Sequence, residues 1–284
     1  MRGLSASPAD AVPSSGDWLS AMGRDWLSFD VRLVEEGVLL RVRELPQPEQ
    51  EAFRLERDKI YEIPDGEARQ AAFGAFHGRW FQRLELSVPF HRTLAEQVSF
   101  LGRTAACRVY LVTRRADEHA DLLVQAGGRP EEGAIVVRLR ATALLDPDRL
   151  TAFLWVEFRH IADMLDPAFG YEPNLPASDL GPAIDNLLRA RYRVVWGTTV
   201  GGRLSRLAGP ESRGRAAETA GVSREEFQRM FHWLGAVAAD AAFRRWFEED
   251  HPTHQSILAF ARGPREPSGL TRAEPEARGA VLRG

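Results

Sequence analysis

The clearest hydrophobic pattern in the chain recurs every three to four residues between positions 147 and 165. The apolar positions are Leu150, Phe153, Leu154, Ile161, Met164 and Leu165. A stripe with this period is typical of a helix with one buried face. Asp146 can cap the start of the helix, and Pro147 suits its first turn, where a backbone N–H is not needed. We therefore predict a helix over residues 147–165.

Three stretches ahead of this helix are rich in β-branched and apolar residues and predict strands. They span residues 107–113, 120–125 and 134–140, and the links between them are short. Short links favour antiparallel neighbours, because a parallel crossover needs a dozen or more residues. The order of three strands and then a helix predicts an α+β fold, with a small mixed or antiparallel sheet packed on helix 147–165.

After this helix the pattern predicts a mainly helical C-terminal half. Residues 184–195 predict a helix, and the glycine-dense residues 196–204 predict a turn. Ser223 and Glu226 form a capping box, which opens a helix whose apolar stripe continues to Trp246. A last short helix is expected to begin near Pro252.

The N-terminal part and the two ends complete the predicted domain organisation. Alternating polar and apolar positions over residues 29–42 predict a β-hairpin, and residues 65–81 predict a helix. Residues 1–17 are rich in Ser, Ala, Pro and Gly, so we expect them to be disordered. Residues 18–262 are expected to form a single α+β domain, and residues 263–284 a flexible tail.

Composition narrows the classes of partner. The formal net charge is -3, which gives no global reason to expect nucleic acid or an anionic membrane as partner. Cys107 is the single cysteine, which excludes disulfides and thiolate metal clusters within one chain. The sequence has no basic leader followed by an apolar core and no apolar run of about 18 residues. We therefore expect a soluble, cytoplasmic protein with no membrane partner.

Two side chains that could take part in catalysis or metal binding lie on the predicted helix. Glu157 falls inside the apolar stripe, and His160 lies at its edge, one turn further along. A carboxylate on a buried face is costly unless a proton, an ion partner or a metal compensates it. Asp163 and Asp166, near the end of the helix, place two more carboxylates nearby. The pattern therefore predicts a site shared by Glu157 and His160, in a cleft between strand 134–140 and helix 147–165.

The window Val156-Glu157-Phe158-Arg159-His160 resembles the HExxH helix of zincin metallopeptidases, with valine in place of the first histidine. In that motif two histidines one turn apart bind zinc, and the glutamate activates the metal-bound water. Zincins also place a strand just before the motif helix, often along the substrate cleft, and residues 134–140 take that position here. The runs 163–167 and 191–196 are similar to those of a bacterial family of zincin-like proteins.

The resemblance implies a zincin-like fold and a role for each matching residue. Glu157 would be the general base and His160 a zinc ligand. Asp166, or less readily Asp163, would be a further ligand, although Asp163 stands where those families have a glycine. Val156 offers no donor, so the implied zinc site is incomplete. The implied protein is metallopeptidase-like with an impaired or lost zinc site, and if active it would hydrolyse a peptide or protein substrate. With one donor missing, Val156→His is expected to create a zinc site.

Two other interpretations remain open. Glu157 and His160 could form a buried ion pair that closes the helix against the sheet. Alternatively, the protein could be a non-catalytic binding or regulatory protein. The most specific version of this second interpretation is a DNA-binding protein. It would bind through a helix-turn-helix-like segment over residues 216–231, with Arg224 and Arg229 facing the groove of the DNA. Acidic residues at the start of that second helix make nucleic acid a disfavoured partner.

Overall fold

The computed structural model describes residues 26–96, 104–124, 128, 132–175, 181–207 and 222–263. The predicted disordered segment 1–17 and, apart from Gly263, the predicted tail lie outside these ranges. Within them the chain forms a mixed α+β fold with a small four-stranded sheet and nine α-helices. In chain order these are β1 (Leu27–Phe29), α1 (Val31–Val42), α2 (Gln47–Tyr61), α3 (Gly66–Arg83), α4 (Val88–Glu96), β2 (Ala106–Leu111), β3 (His119–Leu123), β4 (Ala134–Leu139), α5 (Pro147–Leu165), α6 (Pro182–Leu207), α7 (Arg224–Met230), α8 (Ala236–Glu248) and α9 (His254–Arg262).

The sheet has the strand order β1-β2-β4-β3. Strands β1, β2 and β4 are parallel, and β3 pairs with β4 antiparallel, with Ala120 opposite Val137. The short connection between β3 and β4 gives the expected antiparallel pair. Between β2 and β3 the chain passes over the position that β4 later fills, so β2 and β4 are parallel. The sheet is thus mixed, and in the described residues β3 is one of its edges.

The predicted hairpin over residues 29–42 is wrong, because residues 31–42 form helix α1. Asp30 caps this helix by accepting a hydrogen bond from the Arg32 amide at 2.9 Å. The buried residues Leu33, Gly37, Val38 and Val42 recur at helical spacing. Gly37 lies inside this helix and not in a turn. The Leu144 side chain packs closely on it, so a Cβ at this position would lie 2.5 Å from Leu144 Cδ1.

Helix α5 has the predicted bounds, and Asp146 caps it by accepting a hydrogen bond from the Arg149 amide at 3.0 Å. Its buried residues divide between two hydrophobic clusters. Leu154, Phe158 and Ile161 join the cluster formed with the sheet and the N-terminal helices, whereas Val156 packs with aromatic residues of α6. The helix therefore lies between the two cores, and its two sides have different neighbours.

The C-terminal half is helical as predicted, but two element boundaries differ. Residues 196–204 are the interior of α6 and not a turn. Gly202 has no side chain because α8 crosses there: a Cβ would lie 1.7 Å from the Phe247 carbonyl oxygen. The helix that Ser223 caps ends at Met230, and Gly235, with a φ of 79°, separates it from α8. No helix in the described parts of the chain is long and apolar enough to cross a bilayer.

Candidate functional site

Glu157 is partly buried beside the edge strand of the sheet. Its Oε2 accepts a hydrogen bond from the Ala120 backbone N–H in β3, at 2.6 Å. Burial raises the pKa of Glu157 from its ordinary value of 4.5 to about 7, against the opposing effects of the Ala120 hydrogen bond and of His119. The nearby carboxylate of Asp121 raises this pKa further. At neutral pH Glu157 is therefore poised between its neutral and charged forms.

The hydrogen bond to Glu157 reveals which way the β3 backbone faces. In an antiparallel pair, successive residues direct their N–H and C=O groups alternately toward and away from the partner strand. Ala120 donates to Glu157 and not to β4, so Ala120 and Leu122 face the open edge, while His119 and Asp121 pair with β4. The β4 register agrees, because Leu139 directs its carbonyl to β2, on the far side from β3.

A half-exposed charged cluster covers the end of β3 near Glu157. Asp121 Oδ2 lies 2.8 Å from His119 Nε2 and accepts a hydrogen bond from Arg138 Nη1 at 2.8 Å. The second ring nitrogen of His119 lies 2.8 Å from the Asp117 carbonyl oxygen. These bonds fix the His119 ring on the face of the sheet and leave the open edge of β3 uncovered by it.

His160, three residues after Glu157 on α5, packs against α6 and has different neighbours. Its ring packs edge-on against Trp196 of α6, with centroids 4.7 Å apart and planes at 85°. Burial lowers the pKa of His160 from 6.5 to about 4, so the ring is neutral at physiological pH. None of the hydrogen bonds or ion pairs between described residues joins Glu157 to His160. The alternative buried ion pair is therefore not among the described contacts, and each residue has its own partner.

Asp163 is held by a buried arginine. Arg203 of α6 donates to both carboxylate oxygens, at 2.7 and 2.6 Å, and Trp196 Nε1 donates to Oδ2 at 2.7 Å. The side chains of Asp163 and Arg203 are only 7% and 6% exposed. Asp166 is exposed at the end of α5 and accepts a hydrogen bond from the Ala168 amide at 2.9 Å. Neither aspartate lies with Glu157 at the open edge.

These residues do not fit the zinc ion that the motif implies. Val156 is packed in the apolar cluster with α6, the His160 ring packs against Trp196, and the Asp163 carboxylate already accepts three hydrogen bonds from Arg203 and Trp196. Within the described ranges, no group of three or more His, Cys, Asp or Glu side chains is arranged to hold a metal. We therefore derive no chemical step through zinc.

The predicted DNA-binding segment is only partly described, because residues 216–221 lie outside the described ranges. The described portion is the seven-residue helix α7. Arg224 forms an ion pair with Asp240 of α8, and its guanidinium lies 5.9 Å from the centre of the Phe243 ring. Phe227 is fully buried. Of the two arginines expected to face a groove, Arg224 is thus held against α8, and Arg229 is exposed.

A pocket of about 200 Å³ opens between α6 and the loop that follows α5. Arg189, Tyr192, Arg193 and Trp196 line it from one face of α6, because they are spaced by three or four residues. Tyr171 lines it from the loop, with its ring centroid 5.9 Å from that of Trp196. Sequence reasoning missed this pocket because residues 196–204 were interpreted as a turn, although the spacing of these four residues was visible.

Comparisons with protein-family models, curated proteins and solved structures gave no match. Function must therefore be inferred from the site itself.

Proposed function

We propose that this protein binds extended peptides along the open edge of β3, on a metallopeptidase-like scaffold that has lost zinc-dependent hydrolysis. The observation that carries the proposal is the contact between Glu157 and the Ala120 amide. It couples the acidic residue of the degenerate motif to the one antiparallel strand of the sheet. An exposed edge strand is a ready template for a further strand, with backbone hydrogen bonds supplying affinity.

The location of the groove corrects the expectation from the sequence. Strand β4, over residues 134–139, has a neighbour on each side and cannot pair with a peptide. The groove belongs to β3, which also packs directly on α5. At this edge the Ala120 N–H is taken by Glu157, and the proposal assigns to the peptide the Ala120 C=O and the Leu122 N–H and C=O, which have no partner at this edge among the described residues. Glu157 acts here as a positioning residue that holds the edge strand against α5.

The proposal separates binding from hydrolysis, because a zincin normally needs three protein ligands to hold a catalytic zinc. Val156 has no donor, and the carboxylate of Asp163 already compensates the buried charge of Arg203. Withdrawing Asp163 to a metal would leave that guanidinium unpaired, at a cost of several kcal/mol. Peptide binding without hydrolysis requires no such rearrangement.

The test uses a mixture of acetylated hexapeptide amides of varied sequence. The full chain is incubated with the mixture in EDTA, and peptides retained by ultrafiltration are identified by mass spectrometry. We expect retention of a subset of intact peptides, with the same subset retained and uncleaved when zinc replaces EDTA. Retention no greater than with an unrelated protein of similar size would overturn the proposal, and zinc-dependent cleavage would overturn the loss of hydrolysis.

A matched pair of peptides then tests the binding mode. The best-retained sequence is made twice, with N-methyl groups on the odd or on the even backbone amides. A peptide added to a strand edge uses alternate amides for pairing, so only one of the two forms should bind. Equal loss or equal retention of affinity for both forms would show that the peptide does not pair with β3.

A further inference from the structure

We infer that the pocket between α6 and the loop after α5 binds the C-terminal carboxylate of a peptide, with the last side chain resting on an aromatic floor. This inference deepens the proposed function and rests on it. The pocket holds about 200 Å³, which is below the usual range for drug-sized ligands and suits a single side chain.

The floor of the pocket presents ring surfaces and not polar groups. Trp196 turns its indole N–H away to Asp163, at 2.7 Å, and the Tyr192 hydroxyl lies 2.8 Å from His254 Nδ1 in the interior. Both residues are at least 93% buried. Because their polar atoms are bound elsewhere, what remains for a ligand is an apolar, aromatic surface held in place from behind.

The rim of the pocket carries the charge. Arg189 and Arg193 lie one helical turn apart and are exposed. Arg189 donates to Asn186, a neutral partner, at 3.0 Å, and neither arginine takes part in an ion pair between described residues. Glu172 also lines the pocket and accepts a hydrogen bond from Gln255 at 3.3 Å. The rim carries two guanidiniums and one engaged carboxylate, and the nearby carboxylate of Asp121 is paired with Arg138, so the rim favours an anion of carboxylate size.

The pocket and strand β3 flank the same helix, because α5 packs both on β3 and on α6. Tyr171, on the pocket wall, is close enough to both Asp121 of β3 and Arg193 of α6 to be affected by their charges. Burial raises the pKa of Tyr171, Asp121 raises it further, and Arg193 lowers it. In this inference a peptide that leaves the edge of β3 reaches Tyr171 and then the arginines. An apolar side chain followed by a carboxylate matches the order of floor and rim.

The test uses small probes that do not need the β3 edge. N-acetyl-4-fluorophenylalanine and its amide differ only in the charge of the terminal group, and ¹⁹F NMR titration of the full chain gives both dissociation constants. We expect the acid to bind about five-fold more tightly than the amide, as for two exposed charged contacts. In the double variant Arg189→Gln/Arg193→Gln, the ratio should fall to about one.

Arg79→Gln is the matched control, because it removes an exposed arginine on α3, which packs on α1 and α2. This variant should keep the preference for the acid. Equal affinity of the wild type for the acid and the amide would overturn the inference. A preference for the acid that persists in the double arginine variant, with thermal unfolding unchanged, would overturn it as well. If the wild type prefers the acid but binds both N-methylated peptides equally, the carboxylate pocket stands and peptide pairing along β3 is refuted. If only one of the two N-methylated peptides binds and the acid is not preferred, peptide pairing along β3 stands and the carboxylate pocket is refuted.

Discussion

The substitution Glu157→Gln tests whether the motif glutamate is buried against the edge strand. Glutamine keeps an oxygen that can accept the hydrogen bond from the Ala120 N–H, and it has nearly the same volume. It cannot carry a charge. Any effect that depends on pH therefore reports the carboxylate of Glu157 and not the packing of the side chain.

The expected magnitude follows from the pKa of Glu157, which is about 7 in the folded protein and has an ordinary value of 4.5. A raised pKa means that the folded state binds more protons than the unfolded state between these values. The stabilisation is complete below pH 4.5 and is lost as pH rises through 7. At ~1.36 kcal/mol for each pH unit, the loss amounts to at most about 3 kcal/mol.

His160 produces the opposite slope in the wild type. Its pKa is lowered from 6.5 to about 4, so its contribution is present above pH 6.5 and is lost as pH falls through 4. The two slopes partly cancel between pH 4.5 and 6.5. For this reason the informative quantity is the difference between Glu157→Gln and wild type at each pH, in which the contribution of His160 cancels.

The assay is urea unfolding of both proteins between pH 4.5 and 8.5, with Glu36→Gln as the control for loss of an exposed glutamate on α1. We expect Glu157→Gln to gain stability relative to wild type as pH rises, by up to about 3 kcal/mol at pH 8.5. Glu36→Gln should show no such trend. A difference between Glu157→Gln and wild type that is constant with pH would refute the burial of this carboxylate.

Three further substitutions, one of them with a matched control, test the packing around the site. Asp163→Asn should destabilise the protein by about 3–5 kcal/mol in urea unfolding, because it leaves Arg203 buried without a counter-charge; a loss under about 1 kcal/mol would contradict the buried pair. Gly202→Ala should lower stability by at least about 1–3 kcal/mol, because its Cβ would meet the backbone of α8 at 1.7 Å. Gly78→Ala, in a helix with free space around the position, should be neutral or stabilising in the same urea-unfolding experiment. Equal effects of the two changes would contradict the helix crossing. For Val156→His the sequence alone predicts tight zinc binding, whereas the packing against α6 predicts weak binding, and a stoichiometric site in zinc titration would refute that packing.

The sequence predicted best the helix that has both a regular spacing of apolar residues and a capping residue at its start. Helix α5 has its predicted bounds, because Asp146, Pro147 and the apolar stripe all indicate the same start and the same face. Strands β2, β3 and β4 were also predicted, because each is a short run of β-branched and apolar residues between turn signals. The mixed sheet, which was one of the two predicted arrangements, follows from them.

The wrong secondary-structure predictions have two causes. Some glycines were interpreted as turns, and some short apolar runs match both the spacing of a strand and that of a helix. Residues 29–42 match an alternating pattern and a helical pattern, and the Asp30 cap and the contact at Gly37 decide for the helix. Gly202 was interpreted as part of a turn, although it marks a point where two helices cross. A contact of this kind depends on a segment 45 residues later in the chain, whose position the local pattern does not specify.

The partners of the site residues were not predictable from the motif. Glu157 was expected to share a pocket with His160, but it contacts a backbone amide, for which no side chain provides a signal. His160 contacts Trp196, and Asp163 contacts Arg203, across a helix pair whose register was unknown. The spacing of three residues places Glu157 and His160 on adjacent parts of the α5 surface, but Glu157 contacts β3 and His160 contacts α6.

The most direct test of peptide binding at the edge strand is amide-resolved hydrogen exchange of β3, measured by NMR in EDTA with and without a saturating hexapeptide. The Ala120 N–H already donates to Glu157, and the Leu122 N–H faces the open edge. We predict that peptide slows exchange at Leu122 by at least about ten-fold, as for a newly formed backbone hydrogen bond, and leaves Ala120 nearly unchanged. A bound peptide that leaves exchange at Leu122 unaltered would contradict the account.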